Sequence, residues 1–109
     1  MLWTNPSPSA TFSAQTITLP DIDNYTYIKL VIRNTTSDAS ELINILPVDN
    51  IKDNMAKRQS FLGIMFNVSG GTWYYRNMGF TSTSMIVSAA GPSGATNSHI
   101  IPVQIIGLK

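Results

Sequence analysis

Apolar residues recur at every second position along most of this chain, and no segment sustains a helical stripe over three turns. Successive side chains of a strand point to opposite faces, so this period describes strands with one face buried. Tyr25 to Arg33 places Ile28, Leu30 and Ile32 on one face and Tyr25, Tyr27, Lys29, Val31 and Arg33 on the other. Gln15 to Leu19 turns Ile17 and Leu19 inward, with threonines outward. Glu41 to Val48 reads as a strand that Pro47 pushes to an edge or an end, because proline cannot donate to a ladder. Phe61 to Val68, Thr72 to Phe80, Ser82 to Ala90 and a closing run from Ser98 to Lys109 complete the series.

Turn residues separate these runs. Ser69-Gly70-Gly71 reads as a tight hairpin connection and Gly91-Pro92-Ser93-Gly94 as a second turn. Asn34 to Ser40 links two strands, and Asn50 to Ser60 reads as a charged loop. The spacing predicts an all-β fold, an antiparallel β-sandwich of seven to eight strands, jelly-roll-like, in one domain spanning residues 1–109. Strand order is not encoded in the period.

Charge is scarce. Charged residues make up 12% of the chain, against roughly 25% in an ordinary domain. The net charge of +1 gives no electrostatic steer toward nucleic acid or a membrane surface. No stretch reaches the ~18 apolar residues of a membrane span, and the first residues lack the basic and apolar regions of a secretion signal. With no cysteine, disulfides and thiolate metal sites are excluded. All six acids lie between Asp21 and Asp53, and Asn77 to Leu108 carries no Asp, Glu, Lys or Arg. A surface with so little charge is expected to meet something other than water.

Several strands are also apolar on both sides. In the last, Ile101, Val103 and Ile105 share one face while Ile100, Pro102, Ile106 and Leu108 share the other. Phe61 and Met65 break the alternation in the middle strand. Large exposed apolar patches are uncommon on monomers, so the surplus points to association of copies.

Catalytic chemistry is thin. His99 is the single histidine, and no nucleophile-elbow context accompanies it. Asp21-Ile22-Asp23-Asn24 has the donors for calcium but reads as turn chemistry. Two opposed carboxylates at glycosidase separation are not evident. The three Asn-x-Ser/Thr triplets, at Asn24, Asn34 and Asn67, are what chance gives among nine asparagines. The chain is therefore read as a non-enzyme without cofactor or metal. What remains is an aromatic constellation in Thr72 to Phe80. Trp73, Tyr75 and Asn77 lie on one face and Tyr74 and Arg76 on the other, with His99 elsewhere in the chain. These six are the candidate ligand-binding residues. Aromatic faces with nearby polar groups suit neutral sugars, which offer C–H faces and hydroxyls. One face of this strand is expected to fill the core, the other to lie at a ligand groove or a subunit boundary.

The opening Leu2 to Leu19, L-W-T-N-P-S-P-S-A-T-F-S-A-Q-T-I-T-L, followed by D-N-Y-T-Y-I-K-L-V-I-R from Asp23, resembles a C-terminal domain of phage and prophage tail-fibre or tail-tip proteins of Gram-positive gut bacteria. The ending S-H-I-I-P-V-Q-I-I-G-L-K is similar to that family's closing strand, and S-G-G-T to its glycine-rich hairpin. The resemblance spans nearly the whole chain and rests on apolar and small residues. It implies an all-β head at the C-terminal end of a longer tail protein, a homotrimer on the virion and outside the cell, recognising carbohydrate of the host surface. It carries over no ligand-contact residue. A capping or assembly domain of a virion appendage, or a carbohydrate-binding module of a secreted bacterial protein, are the alternatives.

Overall fold

The structure, a computed structural model, describes residues 1–37, 40–50, 62–68, 72–81, 83–91 and 97–109. The eight strands among them are β1 (Trp3–Thr4), β2 (Gln15–Thr18), β3 (Tyr27–Thr35), β4 (Glu41–Pro47), β5 (Leu62–Val68), β6 (Thr72–Phe80), β7 (Ser84–Val87) and β8 (His99–Leu108). They form two antiparallel four-stranded sheets, ordered β1-β8-β3-β4 and β2-β7-β6-β5. The fold is the expected all-β sandwich.

A jelly roll is a long antiparallel ribbon rolled up, pairing first strand with last and second with seventh. Both pairings are present here, β1 with β8 and β2 with β7. The roll then stops. β3 pairs with β4 and β5 with β6, each strand with its neighbour in sequence. Short connections favour such hairpins over crossings between sheets. Pro47 ends β4, which is an edge strand, as its missing N–H requires.

The alternation read from the sequence closes the core. Ile28, Leu30 and Ile32 of β3 face Ile17 of β2, Met78 and Phe80 of β6, and Met85 and Val87 of β7, all buried. Each such side chain contributes roughly 1.5–3 kcal/mol of burial. Connecting segments add Phe12, Leu19 and Ile22. Asp21-Ile22-Asp23-Asn24, offered above as turn chemistry, is a one-turn 3-10 helix over Ile22–Asn24, entered through Asp21 at φ 67. Aspartate tolerates that left-handed conformation better than most residues, and it drops Ile22 into the core.

The last strand does not keep the simple alternation. Ile32 pairs with Pro102 but Val31 with Gln104, so Val103 is an extra residue in β8. The backbone N–H of Asn5 donates to the Val103 carbonyl at 2.8 Å, and Asn5 Nδ2 donates to the Pro102 carbonyl at 2.9 Å. Ile100 stands at φ 55, a costly conformation for a β-branched residue. These two irregularities put Ile100, Ile101, Pro102 and Ile105 all inside. Part of the surplus assigned to this strand is thereby absorbed within one chain. Ile106 and Leu108 stay half-buried. Among the described residues of the same sheet, the surplus that remains exposed lies at Tyr27, Ile43 and Ile45, the two isoleucines being 54% and 53% exposed. The turn at Ser69-Gly70-Gly71, the segment Ile51 to Phe61 and the turn residues Pro92 to Gly94 lie outside the described residues.

Candidate functional site

β6 carries the aromatic constellation, and its two faces differ sharply. Tyr74, Arg76, Met78 and Phe80 point toward the first sheet; Trp73, Tyr75 and Asn77 point to solvent. Trp73 is 52% and Tyr75 39% exposed, both high for aromatics in a strand. Alternate positions on an antiparallel strand lie about 7 Å apart, so the two rings stand side by side along one stripe. The backbone register sets Asn67 of β5 opposite Trp73, Met65 opposite Tyr75 and Gly63 opposite Asn77.

Arg76 corrects one expectation. Proposed above as a ligand contact, it is fully buried, at 0% exposure. Its guanidinium is consumed by backbone carbonyls: Nε donates to His99 at 3.1 Å, one terminal nitrogen to Ser88 at 2.9 Å and the other to Asn97 at 3.1 Å. The ring of Phe12 lies 5.6 Å beneath the guanidinium carbon, and Trp3 packs edge-on against Phe12 at 6.1 Å. Desolvation lowers the guanidinium from its ordinary value to about 10, so it stays charged at neutral pH. A buried cation must be hydrogen-bonded, and the fork geometry of arginine lets one side chain reach three carbonyls. Arg76 therefore ties β6 to β7 and to the start of β8, beside strained Ile100. Two sequence signals point to this role: Arg76 has the inward parity of Tyr74 and Met78, and it is the only Asp, Glu, Lys or Arg between Gln59 and Leu108.

The Ser88 carbonyl is available because the ladder between β6 and the chain after β7 is bulged. Ser88 N–H donates to the Asn77 carbonyl at 2.9 Å, while Tyr75 and Gly91 exchange backbone hydrogen bonds of 3.0 and 2.7 Å. Arg76 is thus opposed by two residues, Ala89 and Ala90. The Ser88 hydroxyl accepts from Asn77 N–H at 2.9 Å, and Ala90 N–H donates to Asn97 Oδ1 at 3.2 Å, so the displaced groups keep partners. The bulge delivers Gly91 beneath Tyr75. A Cβ placed on Gly91 would lie 2.3 Å from Tyr75 Cζ and 2.7 Å from its hydroxyl oxygen. The phenol ring rests directly on the glycine.

Tyr74 and His99 meet on the other side of β6. Their rings stack at 3.7 Å between centroids, 6° from parallel, and both are half-buried. The structure thus separates the six candidates: Trp73, Tyr75 and Asn77 form one exposed stripe, Tyr74 and His99 a stacked pair, and Arg76 a buried clasp. Sequence reasoning missed Gly91, Asn97 and Phe12. In the sequence Gly91 reads only as part of a turn.

Among the described residues no group of three or more His, Asp or Glu could hold a metal ion, and no helix is long and apolar enough to cross a membrane. Comparison of the chain with protein-family models, with curated proteins and with solved structures finds no match.

Proposed function

We propose that this chain is a non-catalytic recognition domain of a phage or phage-like tail appendage, which binds neutral carbohydrate of the host surface as a homotrimer. The observation that carries the reading is the stripe of Trp73, Tyr75 and Asn77, exposed on a sheet whose strands contain one charged residue, itself buried. An uncharged face with two large rings and an amide complements a ligand with C–H faces and hydroxyls. It offers nothing to phosphate or carboxylate groups. The tail-protein resemblance supplies the setting, on the virion and outside the cell. Binding to a glycan array and to walls of candidate Gram-positive hosts tests the reading. Retention that is lost in Trp73→Ala and Tyr75→Ala variants is expected; a trimeric, folded sample that binds no host surface would count decisively against it.

A second reading, an assembly or capping domain, is favoured by Ile43 and Ile45, exposed on edge strand β4 of the other sheet. The two roles use different faces and one protein can hold both. Loss of assembly in Ile43→Lys and Ile45→Lys variants, without glycan binding by the wild type, selects the structural role.

A further inference from the structure

The exposed stripe has a feature that an incidental pair of surface aromatics lacks: one of its rings is set in place by the backbone. Resting on the proposed carbohydrate-binding role, we infer that Gly91 is a positioning residue that holds the Tyr75 ring down on the sheet. With Trp73 it makes a two-ring platform for an extended neutral oligosaccharide of at least two sugar units.

Gly91 does not stand in the left-handed region, so its backbone is open to other residues. What forbids a side chain there is the Tyr75 ring, whose Cζ and Cε2 lie 2.3 and 2.5 Å from the Cβ position. Any larger residue must push the phenol end away from the sheet. The contact is also enforced from below. Tyr75 and Gly91 are held together by two backbone hydrogen bonds, and the preceding bulge is pinned by Arg76 through the Ser88 carbonyl. A ring ordered before the ligand arrives costs less on binding than one that must be ordered by it. With one face against the backbone, it presents the other outward as a floor. Trp73 stands about 7 Å along the same stripe. A single sugar ring covers one aromatic; two joined sugars in extended form cover both. The lack of charge on these strands selects neutral units.

The test uses the intact chain and neutral gluco-, galacto- and N-acetylglucosamine-based oligosaccharides of one to four units, titrated by calorimetry and Trp73 fluorescence. The Gly91 Hα resonances, read by NMR without ligand, are expected upfield through the Tyr75 ring current and at ordinary values in Tyr75→Leu. Two-unit ligands are expected to bind at least tenfold more tightly than one-unit ligands. Gly91→Ala is expected to weaken binding about tenfold with an unchanged melting profile, and to have no further effect in a Tyr75→Leu background. Unshifted Gly91 resonances, or wild-type binding by Gly91→Ala, overturn the positioning role. Equal affinity for one and two units overturns the platform. If no oligosaccharide binds although the Gly91 resonances are shifted, the carbohydrate reading itself fails, and the platform's ligand with it.

Discussion

On the outer face of the first sheet, Lys29, Arg33 and Glu41 stand among Tyr27, Ile43 and Ile45. The second sheet has Thr16, Thr18, Ser84 and Ile86 beside Trp73, Tyr75 and Asn77, and the four strands that build it contain no charged residue except Arg76. Both faces expose large apolar side chains, yet their polar companions differ. Mixed charge beside an exposed edge strand is what keeps a surface soluble and limits which surfaces can dock on it. Amides, hydroxyls and flat rings without charge give a surface that discriminates by shape and hydrogen bonding. Scarcity of charge in this chain is therefore not uniform: the first sheet carries its three charges on β3 and β4, while the second has a single one, and it is turned inward.

The strongest way to break this contrast is to remove the exception. Arg76→Met leaves three inward carbonyls without their donor, and is expected to cost about 3 kcal/mol in urea unfolding, at about 1 kcal/mol for each buried acceptor left unpaired. Arg76→Lys keeps the charge but not the fork and is not expected to restore stability. A loss under 1 kcal/mol would show that the clasp is incidental. Next in size is association. Light scattering on the wild type is expected to give three times the 11.9 kDa chain mass, and Ile43→Lys with Ile45→Lys to give one. Single-chain mass for the wild type at high concentration removes the first sheet's face as the place where copies meet. Gly107→Ala probes packing within that sheet, since its Cβ would lie 2.4 Å from Tyr25 Cδ1. A destabilisation of about 1–3 kcal/mol is expected, whereas Gly91→Ala, whose obstacle is an exposed ring, is expected to change stability by under ~0.5 kcal/mol. The smallest expected effect is that of salt. Ligand binding on the uncharged sheet should change less than about twofold between 50 and 500 mM salt; a steep dependence would mean that charges outside this sheet take part.

How far the sequence was legible follows from what alternation can encode. Ile17, Ile28, Leu30, Ile32, Met78 and Phe80 are buried as their parity requires, and Trp73, Tyr75 and Asn77 face out as theirs does. Pro47 marked an edge. Parity fails where the backbone leaves the ladder. The extra residue at Val103 and the left-handed Ile100 put four residues of β8 inside; in I-I-P-V only Pro102, which cannot donate to a ladder, hints at the first, and nothing announces the second. Strand order was equally silent, because pairing β3 with β4 rather than with β6 depends on the whole sandwich. Arg76 was legible as lying opposite Trp73 and Tyr75, but alternation alone leaves open which face of the strand enters the core, so its role as a buried clasp was not. Gly91 is legible only once Tyr75 is seen lying on it.

One consequence of the Arg76 clasp concerns acid. Folded proteins usually come apart at low pH because carboxylates engaged in the native state take up protons and lose their partners. The groups that hold this guanidinium are peptide oxygens, which have no proton to gain in that range. Among the described residues, the bonds by which Arg76 joins β6, β7 and β8 therefore include no group whose protonation in acid would break them.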